Sequence, residues 1–253
     1  MAFLITTTRT LGDCVTAVAK RAGFASSVVD AAGSTDPAVV QMVTAVNDAA
    51  IELLAEGNWP DFVRVATITV AQALPGDKIY AVNLPADFFR FNNRTMNDVT
   101  ALLPTRRPLN AEQWQSISTI SPFVSFNLMW RYFNGQLQFL NPPAAGAGHT
   151  FSYEYISQAI IQDADVSADF KNVATKNGDI VLLDSFLVIL LAVVKWRAMK
   201  GFDTAAAEAA YAKAFDARFN RQEAGKIVTL GGGDLGLFNP LSLNNLPETG
   251  FGT

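Results

Sequence analysis

The spacing of apolar positions changes period twice along the chain. Leu11 to Arg21 repeats at helical spacing, with Leu11, Cys14, Val15 and Val18 on one face and Gly23 closing the helix. Asp36-Pro37 opens a second helix. An Asp at the N-cap accepts an orphan amide, and a Pro at the first helical position has no N–H to lose. Val39, Val43, Val46, Ala50, Leu53 and Leu54 form its stripe, Gly57 stands at the C-cap, and Trp59 in Asn58-Trp59-Pro60 packs back onto it. From Phe62 the period becomes two: Val63, Val65, Thr67 and Thr69 alternate with Phe62, Arg64, Ala66, Ile68 and Val70. Leu74-Pro75-Gly76-Asp77 is a turn and Lys78 to Leu84 a second strand. Leu84-Pro85-Ala86-Asp87-Phe88 interrupts the alternation, and Phe88, Phe89 and Phe91 supply aromatic bulk. Met96 to Leu103 reads as another strand, and Asn110 caps a short helix through Trp114 to Ile117. Asn134-Gly135, between Trp130–Phe133 and Gln136–Phe139, predicts a type I′ hairpin because both residues tolerate positive φ. Thr150 to Ile156 places Phe151, Tyr153 and Tyr155 on one face.

The helical period then returns. Ile180 to Lys200 is predicted as one long helix, apolar nearly all round and therefore buried on all sides, with Gly201 as its left-handed cap. Asp203-Thr204 starts a final helix with Ala207, Tyr211, Phe215 and Phe219 as its stripe, antiparallel to the first. The expected fold class is α+β. It is mainly a helical bundle, N-terminal helices plus a C-terminal helical hairpin, with an inserted antiparallel β-meander or sandwich and an extended C-terminal arm. Residues 1–60 and 179–225 would form the helical domain, residues 61–178 the inserted β-rich domain, and residues 226–253 the arm. The arm carries Gly231-Gly232-Gly233, Pro240 and Pro247 with Leu235, Leu237, Phe238, Leu241 and Leu243. Few charges and several apolar anchors suit a segment that orders on a partner, or else a strap that folds back onto its own domain, rather than a solvated tail.

Composition narrows the function classes. Half the residues are hydrophobic and 17% are charged, which is enough apolar surface for a sizeable core. Lys and Arg total 19 against 23 Asp and Glu, so the total suggests no phosphate-gripping basic stripe. One cysteine, Cys14, excludes an internal disulfide and reads as a buried thiol. Met1 to Ile5 is too short and lacks the basic flank of a secretory leader. The apolar run Phe186–Val194 falls short of the about 20 residues of a spanning helix and is read as core.

Motifs for chemistry are weak. Gly231-Gly232-Gly233-Asp234 lacks the Lys-Ser/Thr pair of a phosphate loop. A single histidine, His149, is read as an exposed turn residue beside Gly148, with no nucleophile elbow anywhere. Neither a metal site nor a cofactor is expected. Glu154, Asp163, Asp165 and Asp169 leave one enzymatic alternative, a carboxylate-based peptidoglycan hydrolase of the virion. Arg106-Arg107-Pro108 is a small basic spot suited to an interface salt bridge.

Several segments in order resemble the head-to-tail adaptor proteins of short-tailed bacteriophages. They are Val46–Pro60, Leu84–Phe88, Arg106-Arg107-Pro108-Leu109 with Gln113-Trp114, Asn134-Gly135 with Asn141–Gly146 and Tyr153–Ser157, and Lys195-Trp196-Arg197 with Lys200-Gly201. The resemblance implies a non-enzymatic structural protein of the virion, at the portal–tail junction, that assembles in the host cytoplasm. Its partners would be the portal protein, neighbouring copies in a ring of about twelve, tail nozzle, tube or fibre proteins, and genomic DNA passing without sequence-specific contact; no membrane is implied. A more distal tail-tube connector is the structural alternative. The interface residues expected from anchor character are Leu235, Leu237, Phe238, Pro240, Leu241 and Leu243 in the arm, with Arg106 and Arg107. The chain departs from the family pattern in its long Gly-rich arm and in extra residues at Asn172 to Gly178.

Overall fold

The computed structural model describes residues 8–24, 28–57, 59–72, 78–92, 95–105, 108–119, 129–144 and 147–223. The chain divides into two compact units, Met1–Asp216 and Ala217–Thr253, and the architecture below is that of the first. It is mixed α and β, with antiparallel sheets and five helices among the described residues.

Three helices carry the main core. In α1 (Leu11–Arg21), Thr10 is the N-cap and its Oγ1 accepts from the Asp13 amide. In α2 (Pro37–Glu56), the Asp36 carboxylate accepts from the Ala38 amide, as expected of an Asp-Pro start. Helix α4 (Ser185–Met199) begins where Asp184 accepts from the amides of Phe186 and Leu187. Residues Leu187 through Val193 of α4 are all buried, so every face of this stretch lies in the core. Leu11, Val15 and Val18 from α1, Met42, Val46, Ala50 and Leu53 from α2, and Leu187, Val188, Ile189, Leu191, Ala192 and Val193 from α4 pack in one cluster. By length and composition α2 could cross a membrane, but Met42, Ala45, Val46, Ala49, Leu53 and Leu54 are buried in this cluster. Helix α5 (Ala205–Glu223) lays Ala207, Tyr211, Ala214 and Phe215 against the same cluster, and the Tyr211 hydroxyl donates to Glu56 of α2.

The strands form three sheets. Short strands β1 (Arg9–Thr10), β10 (Ile161–Gln162), β11 (Phe170–Lys171) and β12 (Ile180–Val181) lie in the order β1-β12-β10-β11. The second sheet is built on β9 (His149–Ser157). It pairs with β2 (Val63–Val70) along one edge, and with β4 (Phe88–Phe91) and β5 (Asn97–Asp98) along the other; β6 (Leu103–Pro104) follows β5. The third sheet runs β3 (Ile79–Asn83), β8 (Gln136–Leu140), β7 (Met129–Phe133). Phe151, Tyr153 and Tyr155 of the second sheet pack with Trp130, Leu137 and Phe139 of the third. The opposite face of the third sheet carries Met129 and Leu140, covered by Trp114 of α3 (Ala111–Thr119).

The hairpin expectation holds in detail: Asn134 and Gly135 have φ of 50° and 75°, and Trp130 pairs with Phe139. Helix α3 begins with reciprocal bonds, Gln113 N to Asn110 Oδ1 and Asn110 N to Gln113 Oε1. Three expectations are corrected. The strands do not make a sequential meander: β2 pairs with β9 and β3 with β8, because consecutive strands enter facing sheets. Met96 to Leu103 is not one strand; β5 and β6 are joined by a tight turn at 99–102, where Leu102 has φ of 55°. The long helix starts at Ser185 rather than Ile180, since Ile180–Val181 is claimed by β1 and β10 and Asp184 then caps. Gly57 is the C-cap of α2 as expected, in an extended conformation; a Cβ there would come 2.7 Å from the Trp59 indole nitrogen, which donates to the Leu53 carbonyl at 2.8 Å. The predicted turn at Leu74–Asp77 lies outside the described residues, as do Arg106, Arg107 and the arm anchors Leu235, Leu237, Phe238, Pro240, Leu241 and Leu243.

Candidate interaction surface

Residue by residue, the ionisable groups are spent on structure. Cys14 is fully buried, and burial pushes its thiol up to about 12, away from the reactive thiolate. Glu154, the carboxylate put forward for hydrolysis, accepts from Asn92 Nδ2 at 2.7 Å. Asp163 accepts from Lys171 at 2.8 Å and from Lys176 at 2.9 Å, and these bonds hold its carboxyl well below the usual range. Among the described residues no group of His, Cys, Asp and Glu is placed to hold a metal ion.

His149 is corrected by the structure. It does not sit in an open turn but begins β9, with Nδ1 2.6 Å from Oδ2 of Asp98. Asp98 is buried, and its other oxygen accepts from the amides of Thr100 and Ala101, so the pair organises the β5–β6 turn.

The most connected polar centre lies at the loop that runs from Asn172 to Gly178 and ends in Asp179. Asp179 is fully buried. It accepts from the amides of Ala164, Thr175 and Lys176 at 3.1, 2.7 and 2.8 Å, and pairs with Lys171 at 2.7 Å. Burial opposes its charge, but Lys171 and these amides outweigh that and keep the carboxyl below its ordinary range. From this centre the loop reaches the helices. Asn47 of α2 bonds both backbone groups of Ala174, Asn177 accepts the Ala31 amide, and the Gly12 amide donates to the Asn177 carbonyl. A Cβ at Gly12 would come 2.5 Å from the Asn177 side chain, so a larger residue there would push that side chain off the Ala31 amide. Asp179 and Asn177 escaped the sequence reading because single polar residues in a loop carry no periodic signal.

Among the described residues, exposed aromatic groups gather at two places. Phe24, Met199 and Phe202 stand out around Trp196, with the rings of Phe24 and Phe202 5.8 and 6.0 Å from it and Lys200 over its face. Tyr132 and Phe133 are exposed at the tip of the β7–β8 hairpin, with the Arg131 guanidinium between Phe133 and Trp114. An arrangement of capped loops, paired charges and exposed aromatics suits holding partners rather than transforming a substrate.

The family model described as SU10 adaptor protein matches residues 9–231. No curated protein matches the chain.

Proposed function

We propose that this chain, which belongs to the SU10 adaptor protein family, docks as a ring beneath the portal of a short-tailed phage, extends the DNA channel and presents the attachment site for tail components. The chain is a structural phage adaptor, a virion component of the head–tail junction that works with portal and tail proteins. The observation that carries the finer reading is the family match across residues 9–231, nearly the whole chain. It is supported by the low positive charge, which suits a wall that lets DNA pass. In this reading residues 1–60 and 179–225 meet neighbours and portal, residues 61–178 face the tail, and the arm at 226–253 orders on its partner. The ring has about twelve copies and closes head to tail. Before the portal is present the protein is a monomer or a weak oligomer.

The test is reconstitution. Full-length protein and a chain ending at Gly225 are mixed with the cognate portal and imaged by electron cryo-microscopy. A ring seated on the portal with the full-length chain and none with the truncation is the expected result. A portal that binds neither chain overturns the adaptor position, and a dodecamer formed without portal overturns portal-triggered assembly.

A further inference from the structure

Among the described residues, strand β2 is an edge strand of eight residues, and it carries none of the bulges, prolines or outward charges that usually protect an edge. Its register with β9 is unbroken from Val63–Ile156 to Val70–His149, so no bulge twists it away. It contains no proline, and its one charge, Arg64, turns back onto the carbonyls of Asp61 and Val63.

The free hydrogen-bonding groups can be assigned. The carbonyls of Thr150 and Glu154 accept from the amides of Val99 and Asn92, so these residues of β9 face β5 and β4. The alternate residues Phe151, Tyr153 and Tyr155 therefore face β2, opposite Ile68, Ala66 and Arg64. Val65, Thr67 and Thr69 then turn their N–H and C=O groups to the open side. All three side chains are exposed, Val65 by 66%. On the inward face, Ala66 and Ile68 are only partly buried beside the aromatic core, as expected where a sheet stops one strand short.

The chain also carries a segment of the matching kind. Lys226-Ile227-Val228-Thr229-Leu230 holds three successive β-branched residues and is followed by Gly231-Gly232-Gly233. The family match continues past Glu223, the end of α5, and stops at residue 231, so it takes in this segment and leaves out the remainder of the arm. Its length equals the open window Val65–Thr69. A ring that closes head to tail needs two different complementary faces on each subunit, and a strand donor with a strand acceptor is such a pair.

We propose that Lys226–Leu230 of one copy adds as a strand to the β2 edge of a neighbouring copy, with Val228 opposite Thr67. The two windows share their centres, so this pair meets whether the added strand runs parallel or antiparallel. The inference rests on the ring reading above.

A cysteine pair tests it. Residues opposite each other across a ladder have Cα atoms about 4.5–5.5 Å apart, within disulfide reach. The full-length double variant Thr67→Cys/Val228→Cys is oxidised mildly with and without the cognate portal and run on a non-reducing gel. Cys14 is buried and does not compete. A ladder of inter-chain species, absent from either single variant, is expected in the portal-bound ring. A second variant, Thr67→Pro, removes one outward N–H and leaves the β2–β9 ladder intact. It should weaken subunit association about tenfold, with Thr67→Val close to wild type. Rings that form on the portal without a ladder, or with Thr67→Pro associating as wild type, overturn the strand exchange and leave the adaptor reading standing. A cross-link closing within single chains also overturns it. Failure to ring on the portal at all overturns the adaptor reading and the exchange with it.

Discussion

Single residues in this protein matter where they complete a buried polar centre. Asp179 has three amides and a lysine converging on it with no exposure to water. Removing the carboxylate leaves those amides and the Lys171 charge without a buried acceptor, and breaking such a centre costs far more than the pair is worth net. Asp179→Ala is expected to destabilise the fold by about 3 kcal/mol, while Asp179→Asn, which keeps the shape, loses less. Urea unfolding of the two variants checks the order; equal and small losses would mean the centre is not structural. The sequence marked Cys14 as a core thiol because it shares a helical face with Leu11, Val15 and Val18. It could not mark Asp179, since nothing local distinguishes that aspartate from Asp163 or Asp165.

At the scale of elements, ends and turns follow local chemistry where a residue type has one use. Asp36-Pro37 starts α2, Asn110 with Gln113 starts α3, and Gly201, at φ of 71°, ends α4. Gly135 holds a φ of 75° in the β7–β8 hairpin, a region that costs an L-residue about 1–2 kcal/mol. Gly135→Ala should therefore lower stability by about 1 kcal/mol without moving the strand register. Denaturant midpoints together with hydrogen exchange of Arg131 and Gln138, which face each other across β7 and β8, would show it; loss of the hairpin's protection would indicate a register change instead. The start of α4 followed a different rule. Ile180 and Val181 continue the apolar run of the helix, yet they pair with Thr10 and Arg9 on one side and Gln162 and Ile161 on the other. Partners distant in sequence decided that boundary.

For the whole molecule, the charge pairs set a pH window. Asp163 and Asp179 have folded-state pKa values below those of an unfolded carboxylate. Their contribution is full above about pH 5 and is lost as pH falls through about 4 toward the depressed values. Tyr153 and Tyr155 are pushed up to about 12, first by burial and then by Asp87, which also accepts the Tyr155 hydroxyl at 2.9 Å. Their contribution is full below about pH 10 and is lost as pH rises toward 12. The buried Cys14 thiol, raised from 9.0 to about 12, begins the alkaline loss first, so stability should be flat between about pH 5 and 9 and fall on both sides. Asp163→Asn should flatten the acid limb and Tyr155→Phe the alkaline one. The midpoint of chemical unfolding across pH measures both, and an acid limb unchanged in Asp163→Asn would remove that carboxylate from the account.

The sequence by itself determined the two periodicities, the helix starts at Leu11 and Pro37, the turn at Asn134-Gly135, the alternation of β2, the aromatic face of β9, and the burial of the middle of α4 on all sides. These depend on spacing and on residues whose local conformation is nearly their only choice. Tertiary structure alone decided which strands are neighbours, where α4 begins, what stands against Gly12, and which carboxylates are committed to lysines, amides or Asn92. Those outcomes turn on partners far apart in the sequence, 146 residues in the case of Ala31 and Asn177. Strand edges and polar side chains accept many partners of similar energy, so the packed core selects one set from the many that a local pattern permits.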